Sequence, residues 1–142
     1  GLDITDTLSV QGVFNLAKHT YENSQLSGGV DINGNDVDAA PNTFGNLRLQ
    51  WRPISSVTTE LELVNMGDYY TNPENTASYE GHDILNWRTQ YAFNDDLTFH
   101  LNVLNATDEE YAERADWTTF NGDRYFPGEP VRAFFGVTWK YK

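Results

Sequence analysis

Carboxylates and imidazoles are the side chains here that could do acid–base or metal chemistry, so their spacing comes first. Glu60 and Glu62 share one face of VTTELELVN and could work as a paired general acid and base. The same face of nearby segments carries Arg48, Arg52 and Arg88, which makes cross-strand ion pairing the simpler account of both glutamates. His19, His82 and His100 lie in three separate segments and form no ligand set. With no cysteine, thiolate nucleophiles, zinc–thiolate sites and disulfide frameworks are excluded. The acidic stretch DINGNDVD (31–38) is rich in the oxygen donors calcium takes. An EF-hand loop needs glycine at its sixth place and glutamate at its twelfth, whereas Gly34 is fourth and Asn42 twelfth. Calcium in loop 31–38 is therefore disfavoured against a solvated acidic loop. No metal, cofactor or catalytic residue is assigned, and the chain reads as a non-enzyme.

Binding has better candidates. DWTTFNGDRYFPGEP sets Trp117, Phe120, Tyr125 and Phe126 beside Arg124, and aromatic faces with one cation suit an anionic, partly aromatic ligand. DYYTNPENTASYEGH adds Tyr69, Tyr70, Tyr79 and His82. The plainer role for the same aromatics is to pack loops against their neighbours.

The elements that must position these residues are strands. Side chains alternate with period two in 5–18, 44–53, 57–65, 83–93, 97–105 and 131–142. In the last, Ala133, Phe135, Val137, Trp139 and Tyr141 alternate with Arg132, Phe134, Gly136, Thr138 and Lys140. No segment has helical periodicity. RPISSV (52–57) and FNDDL (93–97) read as short turns, while 22–43, 70–82 and 114–130 read as long loops. The expected fold class is all-β, an antiparallel up-and-down meander of about six strands with tight turns at one end and long loops at the other.

Composition narrows the partners. Aromatics make up 14% of the 142 residues, and 21 acidic against 9 basic residues give a net charge of −12. Without clustered Lys and Arg, nucleic acid is excluded as a partner. One apolar face per strand then fits two environments: a second sheet in a soluble sandwich, or lipid around a transmembrane barrel with a polar lumen. Three features favour lipid. Ionisable groups line the opposite face; aromatics (Trp51, Tyr91, Phe93, Trp139, Tyr141) gather near strand ends; and all tight turns fall at one end. The barrel reading expects Leu49, Trp51, Leu61, Trp87, Phe99 and Trp139 to form an exposed outward belt. The alternative, a soluble β-sandwich that binds carbohydrate, expects them in one compact core.

The chain also resembles the carboxy-terminal part of TonB-dependent outer-membrane receptors. LNVLNATDEEYAERA (101–115) is similar to the penultimate strand running into Asn-x-x-Asp-x-x-Tyr, here Asn105, Asp108 and Tyr111. YFPGEPVRAFFGVTWKYK (125–142) resembles Pro-Gly-x-Pro and the aromatic closing strand, here Pro127, Gly128 and Pro130. AAPNTFGNLRLQWRP (39–53) resembles an earlier strand. The resemblance implies a segment of a large barrel in the bacterial outer membrane, with the plug domain and earlier strands outside residues 1–142. It further implies energised uptake of a scarce small molecule, most often a ferric siderophore, with TonB engaged through the missing part. Six strands cannot close a lumen that such transporters build from 22.

Overall fold

The structure is a computed structural model that describes residues 1–141; Lys142, the last residue of the expected closing strand, lies outside them. Thirteen strands follow one another: β1 (Leu2–Thr5), β2 (Leu8–Leu16), β3 (Leu26–Ser27), β4 (Val30–Asp31), β5 (Thr43–Ile54), β6 (Val57–Met66), β7 (Tyr69–Tyr70), β8 (Ser78–Tyr79), β9 (His82–Ala92), β10 (Leu97–Leu104), β11 (Ala112–Thr118), β12 (Gly122–Pro127) and β13 (Arg132–Trp139). Seven of them form one antiparallel sheet in the order β1-β2-β5-β6-β9-β10-β13. This is a meander of nearest neighbours with two open edges.

Seven wall strands stand where six were expected. The extra one, β1, turns into β2 at Asp6-Thr7, a pair without the Gly, Pro or Asn that usually marks a hairpin. The long connections also differ from open loops. Each folds back into a two-stranded ribbon: β3-β4, β7-β8 and β11-β12. The β11-β12 ribbon lies largely inside 114–130. Its alternation was hidden because neither of its faces packs on one large apolar surface, so both carry mixed residues.

The short turns are stitched together at one end of the sheet. Asn94 Oδ1 accepts the amides of Asp96 (3.0 Å) and Leu97 (2.9 Å), which closes the β9–β10 turn. The Arg52 amide donates to Thr7 O, and the Ala92 amide to Ser56 O.

The two faces of the sheet have opposite chemistry. Odd-numbered Leu49, Trp51, Leu61, Trp87 and Trp139 are 36%, 49%, 42%, 39% and 70% exposed, and no second sheet covers them. Phe99 departs from the expected exposure. It is half-buried because the rings of Tyr91, its partner on β9, and Phe135, diagonal to it on β13, stand 6.4 and 6.1 Å away on either side. The compact core required by the sandwich does not form. The buried hydrophobic cluster (Tyr69, Tyr79, Ala112 and Ala115) lies instead among the loops.

Polar groups on the apolar face satisfy one another. The Trp87 indole N–H donates to Thr59 Oγ1 at 2.9 Å, and Thr59 and Thr89 hydroxyls meet at 2.8 Å. On the other face Glu62 is buried between two cations. It accepts from Arg48 Nε at 2.8 Å and Arg88 Nη1 at 2.7 Å, while Arg88 also reaches Glu60 at 3.1 Å. The glutamate pair is thus an ion-pair ladder across β5, β6 and β9.

Glycine sits where strands crowd. A Cβ on Gly45 would come within 2.5 Å of the Phe14 ring and 2.6 Å of Val13 O, so the ring covers the gap left by the glycine opposite it.

Candidate functional site

The candidate site is the cap formed by segments 17–42, 67–81 and 105–131 at the long-loop end. Backbone and side-chain bonds join the three into one body. Between the first two, Ala39 N donates to Tyr70 O, Asn35 Nδ2 to Pro73 O at 2.9 Å, and Asp36 and Asn75 exchange two bonds. Between the second and third, Trp117 N donates to Thr71 O. The Tyr69 hydroxyl accepts from Ala115 N at 2.8 Å, and the Tyr79 hydroxyl accepts from Ala112 N at 3.0 Å. Having accepted there, Tyr79 is free to donate to His82 Nδ1 at 2.9 Å, and burial pushes its phenol above the ordinary range.

A second device fixes where the third segment leaves and re-enters the wall. Asn105, buried and at φ 48°, accepts Glu109 N through Oδ1. Its Nδ2 donates to Glu109 O (2.9 Å) and Glu129 O (3.1 Å). Asp108, at φ 53°, accepts Val131 N at 2.9 Å. The Tyr111 ring lies where a Cβ on Gly128 would stand, and Gly128 N donates to Tyr111 O. Asn-x-x-Asp-x-x-Tyr and Pro-Gly-x-Pro are therefore two halves of one clasp.

The nine proposed binding residues separate by burial. Tyr69 and Tyr79 are core, with hydroxyls committed to main chain; Tyr70, His82 and Trp117 are half-buried. Phe120 at the ribbon tip is 97% exposed, and Tyr125 and Phe126 are also exposed. Arg124 Nε is paired with Asp116 Oδ1 at 2.6 Å, Arg114 Nη2 holds Asp116 Oδ2 at 2.8 Å, and both guanidiniums lie over the Phe126 ring. The Arg124 hydrogen bond is the main cause holding the Asp116 carboxyl below its ordinary value. Trp117 and the exposed aromatics share one ribbon; Tyr70 belongs to a different part of the cap.

The acidic stretch 31–38 is tied down residue by residue. Asp31 accepts from Ser24 and Asn33, Asp36 pairs with Lys18 at 3.3 Å, and Asp38 accepts from the Tyr21 hydroxyl at 2.6 Å. That last bond is the main cause pushing the Tyr21 phenol up to about 12. Sequence reasoning passed over Asn105 and Tyr111 as site-forming residues beyond the resemblance. Their signal lay in two short patterns about 20 residues apart, whose contact only the fold reveals.

Beneath the ribbon lies an open pocket of about 540 Å³ between 108–112 and 125–130, with the rings of Tyr79, Tyr111 and Tyr125 in its wall. Among the described residues no cluster of three or more metal-ligating side chains occurs.

No protein-family model matches the chain, and no curated protein matches it. Solved structures do. The siderophore receptor PiuA from Acinetobacter baumannii is 20% identical and superposes over 98% of this chain with a TM-score of 0.78. The ferric citrate transporter FecA, in its unliganded form, is 19% identical over 94% at 0.75. The ferric preacinetobactin receptor BauA from Acinetobacter baumannii is 21% identical over 96% at 0.74. In each case the chain spans about a fifth of the receptor's length (20%, 21% and 20%). The chain has the fold of a segment of the β-barrel wall of these receptors.

Proposed function

We propose that residues 1–142 are the carboxy-terminal wall and loop segment of a TonB-dependent outer-membrane receptor that takes up a scarce small molecule of the ferric siderophore class. The observation that carries this reading is the sheet's two-faced chemistry. An uncovered apolar face with self-satisfied polar groups suits hydrocarbon, where unpaired donors cost several kcal/mol each. The ion-pair ladder behind it suits a wet lumen. The fold likeness to PiuA, FecA and BauA supports it.

In this reading the strands supply wall, the clasped cap supplies part of the ligand-facing rim, and no residue performs a reaction. The plug, the remaining strands and the contact with TonB belong to parts of the receptor outside these residues. Phe120, Tyr125 and Phe126 are the side chains of the candidate set best placed to meet a ligand, because they are exposed on one ribbon.

Fractionated cells test the proposal with an antibody against residues 114–130. The expected result is a heat-modifiable band in the outer membrane, several times heavier than 16.2 kDa, that increases under iron starvation. A 16.2 kDa band in the soluble fraction would overturn it.

A further inference from the structure

The charge of the chain is not spread evenly. Segments 17–42, 67–81 and 105–131 hold fourteen Asp and Glu against three Lys and Arg, leaving −11 of the chain's −12. The strands and short turns, with seven acidic and six basic residues, are nearly neutral. All three cap cations are spent within the cap: Lys18 on Asp36, and Arg114 and Arg124 together on Asp116. No cap cation is left to receive an anion.

The pocket beneath the ribbon is built the opposite way. Glu109 and Glu110 line it, and neither carboxylate has a hydrogen-bond or ion-pair partner among the described residues. Tyr79, Tyr111 and Tyr125 line the same pocket, with the Tyr79 and Tyr125 ring centroids 6.3 Å apart and tilted by 55°. Aromatic faces and unpaired carboxylates together attract an organic cation. A field of one sign over a cap this size also slows approach of like-charged ligands.

Resting on the iron-chelate reading above, we infer that this receptor takes an iron(III) chelate of zero or positive net charge. A cationic group of the chelate seats in the pocket against Glu109, Glu110 and the three tyrosine rings. A trianionic chelate finds no counter-charge on this part of the rim.

The test uses the whole receptor, expressed in a receptor-deleted strain and verified in the outer membrane by immunoblot. Three probes share one linear trihydroxamate core around iron(III) and differ only at the tail: free ammonium, N-acetyl or N-succinyl. Receptor-dependent uptake of labelled iron is expected to fall in that order. At low ionic strength the ammonium form should exceed the succinyl form about tenfold, and added salt should narrow the gap. In a Glu109→Gln/Glu110→Gln receptor the preference should shrink severalfold. Receptor-dependent uptake that is equal for the three, or best for the succinyl form, overturns the charge inference alone. No receptor-dependent uptake of any probe overturns this inference, whereas the iron-chelate reading falls only if the iron-starvation response described above is also missing.

Discussion

At the scale of single residues, the cap depends on a few groups whose loss has a defined signature. Tyr79→Phe removes the oxygen that the Ala112 amide and His82 Nδ1 both use, leaving a buried donor unpaired. The expected cost is about 1–3 kcal/mol. It should appear as faster amide exchange at Ala112 while the wall strands keep their protection. Asp116 gives a pH dependence. Its carboxyl is held below the ordinary 3.8 by Arg124, so the pair stabilises the ribbon fully above that value and loses its contribution as pH falls through the lowered one. Protection of the Trp117 amide, taken relative to the intrinsic exchange rate at each pH, should hold from neutral pH downward and be lost only below the ordinary carboxylate range. In Asp116→Asn the ribbon should be loose throughout, with no such acid step. These side chains were poorly legible in advance. Arg124 and the ribbon aromatics were visible as a cluster, but a sequence does not say that Asp116 neutralises Arg124 from across a hairpin. Nor does it say that Tyr69 and Tyr79 face inward.

At the scale of elements, alternation made the wall readable. Each wall strand except β1 sees two chemically opposite environments, and period-two patterning records that contrast. The cap ribbons see no such contrast and so left no pattern. The clasp between 105–111 and 127–131 was half legible: its two motifs were visible, but not their contact. Its energetics are testable by a double-mutant cycle. Gly128→Ala drives a methyl into the Tyr111 ring and should destabilise the fold. Combined with Tyr111→Ala the penalty should largely vanish, a coupling of about 1–3 kcal/mol in urea unfolding in lipid vesicles. Additive losses would mean that the ring and the glycine are independent.

At the scale of the whole molecule, the two faces of the sheet predict opposite tolerance to charge. Leu61→Arg places a guanidinium on the uncovered apolar face near mid-strand, where it should cost about 2–4 kcal/mol in a bilayer. His100→Arg, on the polar face of β10 where the imidazole meets Thr138 at 2.8 Å, should cost under about 1 kcal/mol. Heat-modifiability of the two variants after reconstitution separates them. Equal losses would remove lipid as the environment of the face that carries Leu61. The sheet's open edges at β1 and β13 follow the same logic, since neither row of unpaired amides is tolerable in hydrocarbon without further strands.

The bonds that pin the third cap segment run from the hydroxyls of Tyr69 and Tyr79 to the main-chain amides of Ala115 and Ala112. A main-chain partner is present whatever residue occupies the position, provided it is small enough to be buried there. The side chain at the ribbon tip, Phe120, which touches none of these bonds, can therefore change without loosening the attachment beneath it. The tip is free to vary, while the pair of tyrosines keeps each version of it anchored in the same place.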